Sequence, residues 1–117
     1  MAAGFKRVLG FGCAPLALLL VHAAAAQDAP AGDPVAGRKT ATGVCQACHG
    51  LNGLPQMPEM PTIAGADAGY VLKQLQAYKA GERQNEMMAA VAPMLNDKQM
   101  ADVAAYYAAV KVTATPP

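Results

Sequence analysis

The chain has no tryptophan, two phenylalanines and four tyrosines in 117 residues, so aromatic side chains supply little of any core it builds. It has no excess of charge: nine Lys and Arg stand against eight Asp and Glu. That balance removes the electrostatic basis for binding nucleic acid. It has no unbroken apolar run of membrane-spanning length. The stretch carrying Leu16, Leu18, Leu19, Leu20 and Val21 is broken upstream by Gly12, Cys13 and Pro15, and falls short of the ~20 residues a spanning helix needs. No strand-like alternation of any length, internal repeat or second domain is visible, which points to a single all-α unit.

What is present begins with an export signal. Lys6 and Arg7 precede the apolar stretch, and Ala24, Ala25 and Ala26 close it. This order of positive charge, short apolar segment and small residues reads as a signal peptide over residues 1–26, cleaved after Ala26, with the periplasm as destination. Cleavage discards Cys13 and His22, leaves no transmembrane segment, and turns a formal net charge of +1 into −1 because Lys6 and Arg7 go with it. The 91 residues that remain bury a thin core, and chains of that size lean on a disulfide, a metal or a cofactor.

Residues 27–32 form a Pro/Ala/Gly tail without periodicity, expected to be flexible. Asp33 and Pro34 are an N-cap and a first helical residue, and predict a helix to about Val44. From residue 50 to residue 65, Gly50, Gly53, Pro55, Pro58, Pro61 and Gly65 predict a loop. Asp67 caps a second helix, with Tyr70, Val71, Gln74, Leu75 and Tyr78 at helical spacing and Gly81 as its stop. Asn96 and Gln99 make a capping-box pattern for a third, striped by Met100, Val103, Ala104, Tyr107 and Val110. Residues 33–112 thus make one domain, and residues 113–117 fray.

The chemistry is concentrated in Cys45-Gln46-Ala47-Cys48-His49. Cys-x-x-Cys-His is the attachment site of a c-type haem. Two thiols one helical turn apart add across the two vinyl groups on one haem edge, and the following imidazole ligates iron through Nε2. Rival readings fail their own requirements. A thioredoxin-like pair needs a βαβ setting, a zinc site needs four ligands, and a disulfide this short closes almost no loop.

The chain resembles class I c-type cytochromes, the small bacterial periplasmic monohaem proteins and the halves of their di-haem relatives. The resemblance rests on residues 32–39, the haem motif, residues 60–65, residues 70–75 with Gly81-Glu82-Arg83, and residues 88–95 leading into Asp102-Val103-Ala104-Ala105-Tyr106-Tyr107. It implies a cytochrome c fold, three main helices and loops wrapped around one covalent haem c per chain. It also implies a methionine as sixth iron ligand before the last helix. By position this is Met88, with Met87 adjacent to it, and reach alone does not exclude Met60, since eleven residues span roughly 35 Å extended. Pro61 matches the proline whose carbonyl accepts the hydrogen bond of the ligating imidazole, and Ile63 the apolar residue on the haem face. Gly37 and Tyr106 match the crossing of the terminal helices, and Tyr70 and Arg83 are candidates for holding the propionates. Ala66 departs from the glutamine common at that place, and the missing tryptophan leaves the propionate contacts open.

The expected function is electron transfer, not catalysis: iron held by His49 and Met88 leaves no open position. Donor and acceptor redox proteins would dock transiently at the haem edge, with Lys73, Lys79 or Lys98 near its rim. The alternatives are an electron-transfer subunit of a periplasmic dehydrogenase, and a gas sensor or enzyme with a labile sixth ligand.

Overall fold

The computed structural model describes residues 31–117, so the expected signal peptide and residues 27–30 lie outside it. Among the described residues there is no strand, and no helix is long and apolar enough to cross a membrane.

Helix α1, Pro34–Thr40, starts where predicted: the Asp33 carboxylate accepts the Val35 N–H at 2.8 Å and Pro34 occupies the first turn. It does not end near Val44. The chain widens into a π-helical stretch, Ala41–Cys45, and runs on without a break as α2, Gln46–His49. Gln46 and Ala47 tolerate the helix, and the stop is Gly50, whose φ of 73° is open to glycine. Inserted π turns of this kind gather at functional sites.

Helix α3, Ala68–Ala80, is capped by Asp67 and closed by left-handed Gly81. Between it and the last helix lies an element not expected, α4, Glu86–Val91, capped by the Asn85 side chain on the Met88 N–H at 2.9 Å and continued by a 3-10 turn, Ala92–Met94. Helix α5, Asp97–Ala109, has both bonds of the capping box. From Lys111 onward the chain has no regular structure.

Helices α1 and α5 cross at closest approach over Gly37, where a Cβ would sit 1.9 Å from the Asp102 carbonyl oxygen and 2.8 Å from Tyr106 Cβ. Gly32, placed in the tail, also lies against α5, with the Ala101 carbonyl 2.0 Å from where its Cβ would be. The crossing is pinned by charge: Asp102 accepts the Asp33 N–H at 2.7 Å and pairs with Lys98. These contacts hold the buried Asp102 carboxyl below the usual range, the Asp33 N–H first and the Lys98 ammonium second. Beneath lies the core, Ala41, Leu95, Met100, Val103, Ala104 and Tyr107, met by Val71 and Leu75 of α3.

The loop over residues 50–65 is ordered by backbone bonds. Gly53 donates to Gly50, its carbonyl accepts from Ile63 and Ala64 at 2.9 and 3.1 Å, and Gly65 donates to Tyr107. Tyr106 reaches across from α5 to donate to the Leu51 carbonyl at 3.0 Å.

Candidate functional site

One slot collects most of the residues singled out from sequence. It has two connected faces, cavities of about 210 and 150 Å³. Cys45, His49, Pro61 and Met88 line both, as do Leu75 and Tyr78. Ile63, Tyr70 and Arg83 line the first; Cys48, Met60 and Met87 line the second.

The wall that carries the thiols is the π stretch and α2. Neither Cys45 nor Cys48 is in a disulfide, and both are half-buried. Burial pushes the Cys45 thiol up, against a smaller lowering by the Tyr107 hydroxyl, and the same burial raises Tyr107 above the ordinary tyrosine range. Both groups are therefore protonated at neutral pH.

His49 closes this wall at the end of α2. Its Nδ1 lies 2.9 Å from the Pro61 carbonyl oxygen. A carbonyl only accepts, so Nδ1 carries the proton and the Nε2 lone pair is free to ligate. The loop thus sets tautomer and ring orientation together, because Pro61 stands two residues before Ile63, which is itself bonded to Gly53.

The opposite wall comes from α3 and α4. Val71 and Leu75 are buried, whereas Met88 is half-buried and belongs to both faces of the slot. Met87 is 60% exposed and touches the second face alone. The short helix α4 makes this difference, since successive residues on a helix point about 100° apart. No element was expected over this segment, although Asn85 and Glu86 are an N-cap and a first-turn acid.

At the mouth, Arg83 donates to Gln74 Oε1 at 2.5 Å and lies over the Tyr78 ring at 4.8 Å. Tyr70 is 57% exposed beside them. Gln74 and Tyr78 were visible in the sequence as a helical stripe, and only the fold gives them a place at the site. Two of the three rim lysines are already held in contacts. Lys79 donates to the Leu95 carbonyl at 3.0 Å and pairs with Asp97, and Lys98 pairs with Asp102 at the helix crossing.

An apolar slot with two free thiols on one edge, an oriented imidazole beside them and a thioether among its lining fits a planar iron porphyrin held by thioether bonds. Metals bound by clustered acids are not an alternative among the described residues, where no such group of three or more His, Cys, Asp or Glu occurs.

Comparison with known proteins agrees. The Cytochrome c family model matches residues 34–111. Cytochrome c4 of Thiocapsa roseopersicina is 46% identical over 87 residues, 74% of this chain and 44% of the relative. A protein of Stutzerimonas stutzeri (strain A1501) named thiosulfate dehydrogenase electron acceptor is 37% identical over 90 residues, 76% of this chain and 42% of its own length. The crystal structure of reduced recombinant cytochrome c4 from Pseudomonas stutzeri superposes with a TM-score of 0.64 at 37% identity, covering 69% of this chain and 47% of that one. The chain spans less than half the length of these three. With the family model running from the first helix to beyond the last, the chain belongs to the cytochrome c family, whose covalently bound haem c is the group that Cys45, Cys48 and the slot fit.

Proposed function

We propose that the chain is a periplasmic one-electron carrier, with Cys45 and Cys48 attaching the haem and His49 and Met88 as its axial ligands. The observation that supports this reading is that His49 and Met88 both line the two faces of one slot. When bound, the haem supplies a one-electron couple at its iron.

The residues of the chain do the rest. The two sulfurs fix the group to a helix, so its position is rigid. His49 Nε2 donates its lone pair, made more basic by the Nδ1–H bond to Pro61. Met88 is the residue whose thioether would hold the iron beside His49, and a soft sulfur donor there would favour the reduced state and exclude small ligands. Ile63, Val71 and Leu75 exclude water, which limits reorganisation when the charge changes. Arg83, steadied by Gln74 and Tyr78, holds an anionic propionate at the mouth, with Tyr70 beside it. Export is followed by cleavage after Ala26, and residues 33–112 act as the electron-transfer domain. Donor and acceptor are larger redox proteins met transiently, a role in keeping with the relative named as an electron acceptor.

Met88→Ala tests the ligation. The variant is expected to lose the long-wavelength absorption of ferric Met–iron ligation, to drop in reduction potential, and in the ferrous state to bind carbon monoxide that the parent refuses. Met87→Ala is expected to behave as the parent. Carbon monoxide binding by the parent would instead favour the sensor reading. Intact mass of the purified exported protein, taken first, reads cleavage after Ala26 and one haem adduct together.

A further inference from the structure

Among the described residues, Tyr107 is the largest side chain enclosed completely, and it carries a hydroxyl into the core. A buried phenol O–H needs an acceptor. The Gly50 carbonyl oxygen lies 3.5 Å away, longer than the ~2.5–3.0 Å of an ordinary O–H···O bond. Val71, Leu75 and Val103, which share the core and the first face of the slot with Tyr107, have apolar side chains and no acceptor to give. The hydroxyl's other hydrogen-bond partner is the Cys45 thiol, which lines the same face.

The ring is fenced in. The Tyr107 backbone carbonyl accepts the Gly65 N–H at 2.9 Å, the Tyr106 ring stands 5.1 Å from its own, and a Cβ on Gly53 would lie 2.9 Å from its Cδ1. The fold therefore aims the hydroxyl before any cofactor arrives. Burial also holds the phenol proton in place well above neutral pH.

Taking as given the reading of Cys45 as a haem attachment point, we propose that Tyr107 is a positioning residue of the haem site. Its hydroxyl donates to the Cys45 sulfur once that sulfur is a thioether, and so ties one attachment arm to α5. Attachment itself fixes the direction of the bond. As the thiol adds across a vinyl group, the sulfur gains a bond to carbon and its hydrogen passes to the neighbouring vinyl carbon, with no oxidant consumed. The sulfur then has lone pairs and no hydrogen, so it only accepts. A hydrogen bond there draws electron density from the sulfur and favours the reduced iron. Of the two cysteines, Cys45 alone lines the face that Tyr107 lines, so the two arms are unequal.

Proton NMR of the reduced holoprotein, with a redox titration beside it, is the test. The Tyr107 hydroxyl proton is expected as a slowly exchanging resonance with nuclear Overhauser contacts to the Cys45 β-protons, and it should vanish in Tyr107→Phe. That variant keeps the ring and loses only the donor, so its reduction potential should shift below the parent's. Tyr106→Phe removes a different hydroxyl from α5, the one on the Leu51 carbonyl. It should lose stability in urea while keeping the parent's potential and the Tyr107 resonance, which separates a bond to sulfur from the general loss of a hydroxyl. If Tyr107→Phe takes up no haem, the contacts of the parent's resonance decide the matter. A hydroxyl proton that faces the Gly50 α-protons and not Cys45, or a parent-like potential in Tyr107→Phe, overturns the proposal. An intact mass without a haem adduct in the parent is a different result, and it overturns the attachment reading itself.

Discussion

The two sides of α5 are held together by different means. Toward α1, backbone lies on backbone over Gly32 and Gly37, a buried carboxylate ties Asp33 and Lys98 to one point, and nothing is left for a ligand to fill. Toward α3 and α4, the buried Val71 and Leu75 and the half-buried Ile63 and Met88 line a slot. One half is closed by its own packing, and the other presents an apolar lining that only a large planar group completes. A chain without tryptophan divides its stability this way because a macrocycle buries more apolar area than its few tyrosines provide.

The largest effect should come from removing the group. In the Cys45→Ala/Cys48→Ala double variant, protection from amide hydrogen exchange is expected to collapse across α3 and α4 while amides at the α1–α5 crossing keep residual protection. Equal loss in both regions would show that the crossing, too, depends on the haem. The next is Gly37→Val. Its side chain meets the Asp102 backbone, which has no rotamer to yield, so urea unfolding should show a loss of about 3 kcal/mol. Gly43→Ala, with nothing within 4 Å of the new methyl, should instead gain about 0.5 kcal/mol. A mild Gly37→Val would mean that the helices can part.

The smallest concerns acid. Asp102 has a folded pKa below its unfolded value, so its stabilisation is complete above the unfolded value and is lost as pH falls through the folded one. Asp102→Asn keeps an acceptor for the Asp33 N–H but loses the charge. Its melting temperature should be lower than the parent's at pH 7, and the gap should narrow toward pH 3. An unchanged gap would place the acid sensitivity elsewhere.

Most of the site's chemistry was readable in order along the chain. Cys45, Cys48 and His49 announce themselves by spacing, because thioether attachment and ligation demand adjacent residues on one helix turn. Asp33, Asp67, Asn96 and Gly81 announced the ends of helices, because caps satisfy backbone groups with local side chains. The run of the first helix through Cys45 to His49 was not readable. A π turn changes a hydrogen-bond partner by one residue, and no composition records it. Helix α4 was missed because six residues carry too few turns for a period to show. Its consequence is large, since it separates the half-buried Met88 from the exposed Met87.

By itself, then, the sequence determined where a haem attaches, at Cys45 and Cys48, and where α1, α3 and α5 begin, since both depend on neighbours in the chain. Only the tertiary structure decided that Gln74 and Tyr78 steady Arg83, that Lys79 and Lys98 are held by Leu95, Asp97 and Asp102, and that a groove with no charged residue among its described lining flanks Cys48. Each of these joins side chains whose meeting depends on how α3, α5 and the loop pack in space, and pairwise distance across a fold is not written in local pattern.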